Sequence, residues 1–205
     1  MVEPHYAHIW DCCCDHGFLG ASLLSNKTKA TVHFVDIVPD LIDEIETKLK
    51  RFFSGSAWEA HCLDVSLLPL QRYDGNHLVI IAGVGGDLTA KFVKSICKRN
   101  PELNIDFLLC PVHHQFSLRQ KLIDLDLGLR DEALIKENNR FYEVILVSSD
   151  IKNNKIITEI GNEIWHCESA KEYLNKTLDH YKRVQQGQNN DVQYIIDAYR
   201  KVKFD

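Results

Sequence analysis

Apolar, β-branched runs alternate along this chain with stretches of helical period, the pattern of parallel strands joined by crossover helices. Residues 8–14 (HIWDCCC) read as a first strand, 18–25 as a short helix and 31–36 as a second strand. A helix follows over 39–53, where Leu41, Ile45 and Leu49 recur every fourth residue and Pro39 suits the first turn. Residues 57–64 and 77–83 read as the third and fourth strands, and 87–99 as a helix with Leu88, Phe92 and Ile96 inward. A fifth strand over 106–111 ends at Pro111, and 116–126 is the next helix. The segments 131–137 and 140–149 flank Asn138 and Asn139, which tolerate the left-handed conformations of a tight hairpin. The expected fold is α/β and Rossmann-like, a mostly parallel sheet of about seven strands with an antiparallel pair at its C-terminal end.

Beyond Asp150 the pattern becomes purely helical. Residues 167–184 place Tyr173, Leu174, Leu178 and Tyr181 on one side, QQGQNN interrupts, and a shorter helix follows over 191–202. Residues 1–150 therefore read as one domain, and 151–205 as an appended helical hairpin.

Composition narrows the function classes. A chain of 205 residues with 45% hydrophobic content buries a substantial core, and no run approaches the roughly 20 apolar residues of a membrane span. The start, MVEPHYAHIWD, has none of the regions of a signal peptide, so a cytoplasmic location and no membrane partner are expected. A net charge of −5 means that any nucleic acid must be held by a local basic patch. The seven cysteines are odd in number and read as reduced thiols. In an extended strand Cys12 and Cys14 share one face and Cys13 takes the other, so the three cannot converge on a tetrahedral ion. Neither His16 nor His113 and His114 completes a recognised ligand spacing, and no metal is expected.

Open α/β sheets bind ligands at the carboxyl ends of their strands, and acids recur there: Asp11 and Asp15 about the first, Asp36 closing the second, Asp64 closing the third. A carboxylate after the second strand can accept both hydroxyl protons of a ribose, and one after the third can face an adenine amino group. Asp36 also reads as a plain helix-start acid. The first turn lacks both G-x-G-x-x-G and the P-loop pattern, which lowers NAD and ATP and leaves S-adenosylmethionine. After the fourth strand, Ala82-Gly83-Val84-Gly85-Gly86 forms a turn that a ligand can approach closely, although such turns also serve chain geometry alone.

These segments carry a resemblance. WDCCCDHGFLG, IIAGVGGDL and FLLCPVHHQFSLRQKL followed by NNRFYEVILV resemble, in that order, motifs of the bacterial tRNA (adenine-22-N1)-methyltransferase family (TrmK-like), across nearly the whole chain. The resemblance implies a class I methyltransferase fold, S-adenosylmethionine as cofactor, and methyl transfer to N1 of adenine 22 of a tRNA partner. It places Asp11, Cys13, Asp15, His16 and Gly17 in the cofactor turn, Asp36 at the ribose, Asp64 on the adenine side, and Ala82, Gly83, Gly85 and Gly86 beside the methionine tail and acceptor base. Pro111, His113, Arg140 and Tyr142 fall on the substrate side.

The sequence departs from the family pattern at Cys13 in place of glycine, at Phe18 in place of tyrosine and at Val112-His113-His114 in place of an asparagine. The chain also begins just before its first strand, where the family leads one to expect a helical segment. Asp15 and Asp87 are the candidate catalytic acids, able to stabilise the cationic product or take a proton from its amino group; Asp87 reads equally as a helix N-terminal acid. Lys91 and Lys94, with Lys98 and Arg99, are candidate phosphate contacts, as are Lys171, Lys176, Lys182, Arg183, Arg200, Lys201 and Lys203 of the hairpin; each alone also reads as a solvated helix face. The competing readings are a methyltransferase of the same fold acting on another RNA or a small molecule, and a non-catalytic cofactor- or RNA-binding module.

Overall fold

A computed structural model describes residues 1–152, 154–187 and 192–204. Its strands are β1 (His8–Cys12), β2 (Thr31–Asp36), β3 (Trp58–Cys62), β4 (His77–Ala82), β5 (Ile105–Cys110), β6 (Gly128–Glu137) and β7 (Arg140–Ser148). Its helices are α1 (Phe18–Ser25), α2 (Pro39–Phe52), α3 (Gly86–Arg99), α4 (Gln115–Asp124), α5 (Ala170–Gly187) and α6 (Gln193–Tyr199). The sheet runs β3-β2-β1-β4-β5-β7-β6, with β1 to β5 parallel and β7 antiparallel to both its neighbours. This is the expected mostly parallel sheet with an antiparallel pair at one edge. The strand order reverses between β1 and β4, and at such a switch point the loops diverge and open a crevice.

Strands buried on both faces explain the nearly continuous apolar runs. On one face Trp10, Val35, Val79, Ile81 and Phe107 pack under Phe92, Val93 and Ile96 of α3 and Leu118 and Leu122 of α4. On the other, Val32 and Phe34 pack under Ile42, Ile45 and Leu49 of α2. Of the expected stripe on α2, Ile45 and Leu49 face inward as expected, and Ile42 takes the place given to Leu41. On α3, Leu88 lies exposed and Thr89 and Val93 go inward instead, because the helix begins at Gly86 and turns its first apolar side chain toward the strand tips.

The cysteine triplet also departs from expectation. β1 stops at Cys12, Cys13 adopts φ +55°, and the chain turns there. Cys12 therefore packs on the α3 face and Cys14 on the α2 face, rather than both on one side. The β6–β7 turn has φ +47° at Asn138 and +61° at Asn139, as a tight hairpin requires.

The C-terminal helices bury an apolar face against the sheet body: Tyr173 and Leu174 of α5 and Ile195 and Tyr199 of α6 meet Phe116, Leu134, Ile164 and Trp165. The turn expected between them falls partly on residues 188–191, outside the described residues. Beneath this cluster, Arg119 of α4 sits fully buried, 2.8 Å from Glu143 of β7 and 2.8 Å from Glu132 of β6. Tyr173 O–H donates to Glu143 at 2.5 Å, and Glu132 accepts the backbone N–H groups of Asn162 and Glu163. The charges are thus paired and hydrogen-bonded, the condition for burying them. Among the described residues, no helix is long and apolar enough to cross a membrane.

Candidate active site

The turn after β1 is built from three left-handed residues, Cys13 (φ +55°), Asp15 (φ +49°) and Gly17 (φ +71°). The Gly17 N–H closes onto the Cys14 carbonyl at 2.7 Å, and the Cys14 N–H reaches the Val35 carbonyl at 3.1 Å, tying the turn to β2. Holding non-glycine residues at positive φ costs free energy that the surrounding structure must offset, and such positions cluster at ligand-binding sites.

Asp36, at the tip of β2, supports this turn. One of its carboxylate oxygens accepts the Asp15 N–H at 3.2 Å, the other the Val38 N–H at 3.1 Å. Each oxygen keeps a second lone pair for a ligand hydroxyl. Asp64 caps the short turn over Val65–Leu67 by accepting the Ser66 N–H at 2.7 Å. The Cys13 thiol lies among these acids: burial first, then the charges of Asp36, Asp11 and Asp64, push its pKa up to about 11. It is a neutral, small side chain in an anionic setting.

Asp11 reaches the same turn from beneath. It is buried, and its Oδ2 accepts the Gly20 N–H at 2.8 Å, bracing α1 against β1. Desolvation raises its pKa to about 7 against the opposing pull of that N–H. His16 stands between two acids, its Nε2 3.7 Å from Asp15 and its Nδ1 3.7 Å from Glu44 of α2. With Phe18 it lines a small apolar cleft between α1 and α2.

The glycines after β4 divide into two roles. Gly83, at φ +78°, has open space where a side chain would project, so a ligand can approach its backbone. A Cβ on Gly85 would stand 2.2 Å from the His113 ring, and one on Gly86 2.4 Å from the His114 carbonyl oxygen. Those two admit the loop after β5, whose His113 carbonyl accepts the Gly86 N–H at 2.8 Å. His114, at φ +61°, then faces Asp87 with Nδ1 2.5 Å from Oδ2. The Val112-His113-His114 departure therefore gives Asp87 a partner.

Asp87, His113 and His114 open into a groove of about 870 Å³ closed on its far side by Phe141 of β7 and by Lys176 and His180 of α5. Lys176 lies over the Phe141 ring at 4.9 Å. Of the expected substrate-side residues, His113 and, from the hairpin, Lys176 line this groove. Tyr142 points to the opposite face of β7 from Phe141, which is the lining residue. Arg140 is exposed at the hairpin end, Lys91 and Lys94 are on the solvent side of α3, and Pro111 is buried behind the loop. Phe141 and His180 were not singled out by the sequence; the alternation of β7 and the four-residue spacing from Lys176 to His180 on α5 were the signals available. Exposed apolar side chains rim the strand tips, namely Phe18, Ile37, Leu67, Leu88 and Val112, one after each parallel strand.

Residues 1–145 match the model of a methyltransferase domain family. No curated protein matches the chain. Among solved structures, an uncharacterized protein from Listeria monocytogenes serotype 4b superposes with a TM-score of 0.75 at 14% identity, covering 95% of this chain and 88% of that one. The TrmK of M. capricolum, solved with S-adenosyl-homocysteine, gives 0.71 at 17% identity, covering 95% and 90%. The M1A22 tRNA methyltransferase TrmK of B. subtilis gives 0.69 at 16%, covering 96% and 89%. At these identities the likeness is one of fold, over the C-terminal helices as well as the sheet.

Proposed function

The chain belongs to the methyltransferase domain family, and from that premise we propose that it transfers a methyl group from S-adenosylmethionine to N1 of an adenine in tRNA, at position 22. The observation that carries this reading is that the carboxyl ends of the parallel strands bear both a turn edged by the carboxylates of Asp15 and Asp36, with Asp64 at the tip of β3, and, beyond β4 and β5, a groove lined by Asp87 whose walls are aromatic and cationic. An anionic turn suits a ligand with ribose hydroxyls and positive charge, whereas the groove suits an unstacked base with its phosphate. The named activities of the TrmK structures of like fold agree with this pairing.

The residues fit such a cofactor. Asp36 has free lone pairs for two ribose hydroxyls, and Gly83 leaves its backbone open beside the place of the amino-acid tail. S-adenosylmethionine, when bound, supplies an electrophilic methyl group. The remaining work falls to the chain: adenine N1 carries a lone pair at neutral pH, so the groove must chiefly hold the base in line, and positioning of this kind lowers a barrier by several kcal/mol. Phe141 offers a stacking face, and Lys176 and His180 reach toward phosphate. The Asp87 carboxylate, steadied by His114, is the acid we assign to stabilising the positive charge that would develop on the methylated base. Asp15 is the other candidate acid. The C-terminal hairpin forms the far wall and contacts the RNA.

Bulk tRNA incubated with the chain and methyl-labelled cofactor, then digested and mapped, tests this. Label in 1-methyladenosine at position 22 is the expected result. Label elsewhere means another substrate on the same fold, and cofactor binding without transfer means a binding module; either outcome overturns the assignment.

A further inference from the structure

A second group of ligand-type side chains lies on the sheet itself, apart from the strand tips. Strand register sets His33 of β2 opposite Glu59 of the edge strand β3, and His61, two residues on, shares the Glu59 face. His33 Nδ1 stands 2.9 Å from His61 Nε2 and 4.0 Å from Glu59 Oε2, and His61 Nε2 stands 3.7 Å from that same oxygen. A tetrahedral zinc site with bonds of about 2.0–2.1 Å sets its ligand atoms roughly 3.3–3.4 Å apart, so these three, spaced 2.9–4.0 Å apart, need to shift by no more than about 0.7 Å.

The surrounding bonds aim the lone pairs at that point. His8 Nε2 lies 3.2 Å from the Asp74 carbonyl oxygen, which can only accept, so the neutral His8 ring carries its proton there. Its Nδ1 then accepts from His33 Nε2 at 3.0 Å, which leaves the neutral His33 ring with its lone pair on Nδ1, facing His61 and Glu59. Tyr73 O–H donates to Glu59 Oε2 at 2.6 Å. Outer bonds of this kind fix the tautomer of a ligating histidine and the pose of a ligating carboxylate. His33 is fully buried between Trp10 and Tyr73, whereas Glu59 is half exposed at the sheet edge, so an ion has a way in and a fourth position open to water.

We propose that His33 Nδ1, His61 Nε2 and Glu59 Oε2 bind one divalent first-row transition cation of the zinc type, clipping β3 to β2. On binding, the ion takes the place of the hydrogen bond from His61 Nε2 to His33 Nδ1, and the neutral His61 ring shifts its single proton from Nε2 to Nδ1 by exchange with solvent, which frees the Nε2 lone pair for the ion. The clip joins the two strands whose tips carry Asp36 and Asp64, but it involves no cofactor or RNA contact.

The test uses the full chain, stripped with a chelator and held reduced, titrated with Zn2+ by calorimetry and with Co2+ by absorption. Expected are one equivalent bound, a raised Tm, and a tetrahedral cobalt spectrum free of thiolate charge transfer. His61→Ala and Glu59→Gln, both at the open edge, are expected to fold and to weaken zinc by more than about 100-fold, beyond the 10- to 100-fold loss that a missing outer bond causes; Tyr73→Phe falls in that smaller range. Absence of binding, wild-type affinity in both edge variants, or a thiolate band overturns the proposal. Cofactor affinity measured on the same samples keeps this result separate from the fate of the methyltransferase assignment.

Discussion

Asp36 carries two duties on the same two oxygens, accepting the N–H groups of Asp15 and Val38 and offering lone pairs to a ribose. Asn at this position keeps one acceptor oxygen and turns an NH2 donor toward the other backbone N–H. A hydrogen bond to a charged group contributes about 1.5–3 kcal/mol, so Asp36→Asn is expected to weaken S-adenosylmethionine binding by about 10- to 150-fold in calorimetry and to lower Tm as one turn bond is lost. Asp11 behaves oppositely, because it sits beneath the turn. Its folded pKa of about 7 lies above the ordinary value for an unfolded carboxyl. A raised value means that the unfolded state releases its proton first, so stability is fully present below about pH 4 and is lost as pH rises through 7. Asp11→Asn has no such proton, and its stability relative to the native chain is expected to improve from pH 4 to pH 8 by a few kcal/mol. Urea unfolding of both proteins at the two pH values checks the sign.

At the scale of elements, close packing and one buried charge network hold the site in place. α1 approaches β2 so tightly that a Cβ on Gly20 would stand 2.4 Å from the Phe34 ring. Arg119 links α4 to β6 and β7, and its removal leaves Glu132 and Glu143 buried without a counter-charge. Arg119→Met is expected to cost about 3–5 kcal/mol in denaturant unfolding, the usual consequence of breaking one side of a buried pair. Glu143 belongs to the RFYEV motif that resembles the methyltransferase family, yet its contacts are with Arg119 and Tyr173 rather than with the groove. A motif residue thus serves the hairpin's attachment, while Phe141, two residues before it, lines the groove.

For the whole molecule, the apolar face of α5 and α6 makes the hairpin part of the core as well as a wall of the groove. Deleting residues 170–205 would uncover Phe116, Leu134, Ile164 and Trp165, so the truncated chain is expected to aggregate or to bind apolar dyes, as seen by light scattering and fluorescence, instead of persisting as a folded cofactor-binding core. The net charge of −5 would confine the proposed RNA binding to local cationic faces. Affinity for tRNA is therefore expected to fall log-linearly with salt concentration, and a salt-independent affinity in a filter-binding series would remove the phosphate contacts from the reading.

The order and type of the seven strands and of the helices were legible in the sequence, because strand runs buried on both faces and a 3.6-residue helical stripe are properties of neighbours along the chain. So were the positions of Asp36, Asp64 and the glycine corner, since they follow strand ends directly. Register, facing and pairing were not. The turn at Cys13 that sends Cys12 and Cys14 to opposite faces, the seating of His113 against Gly85, the pairing of His114 with Asp87, and the meeting of His33, Glu59 and His61 all join atoms that chain spacing leaves apart. They depend on how strands align and loops cross, and that is settled by packing the whole sheet against its helices rather than by any local preference of the residues involved.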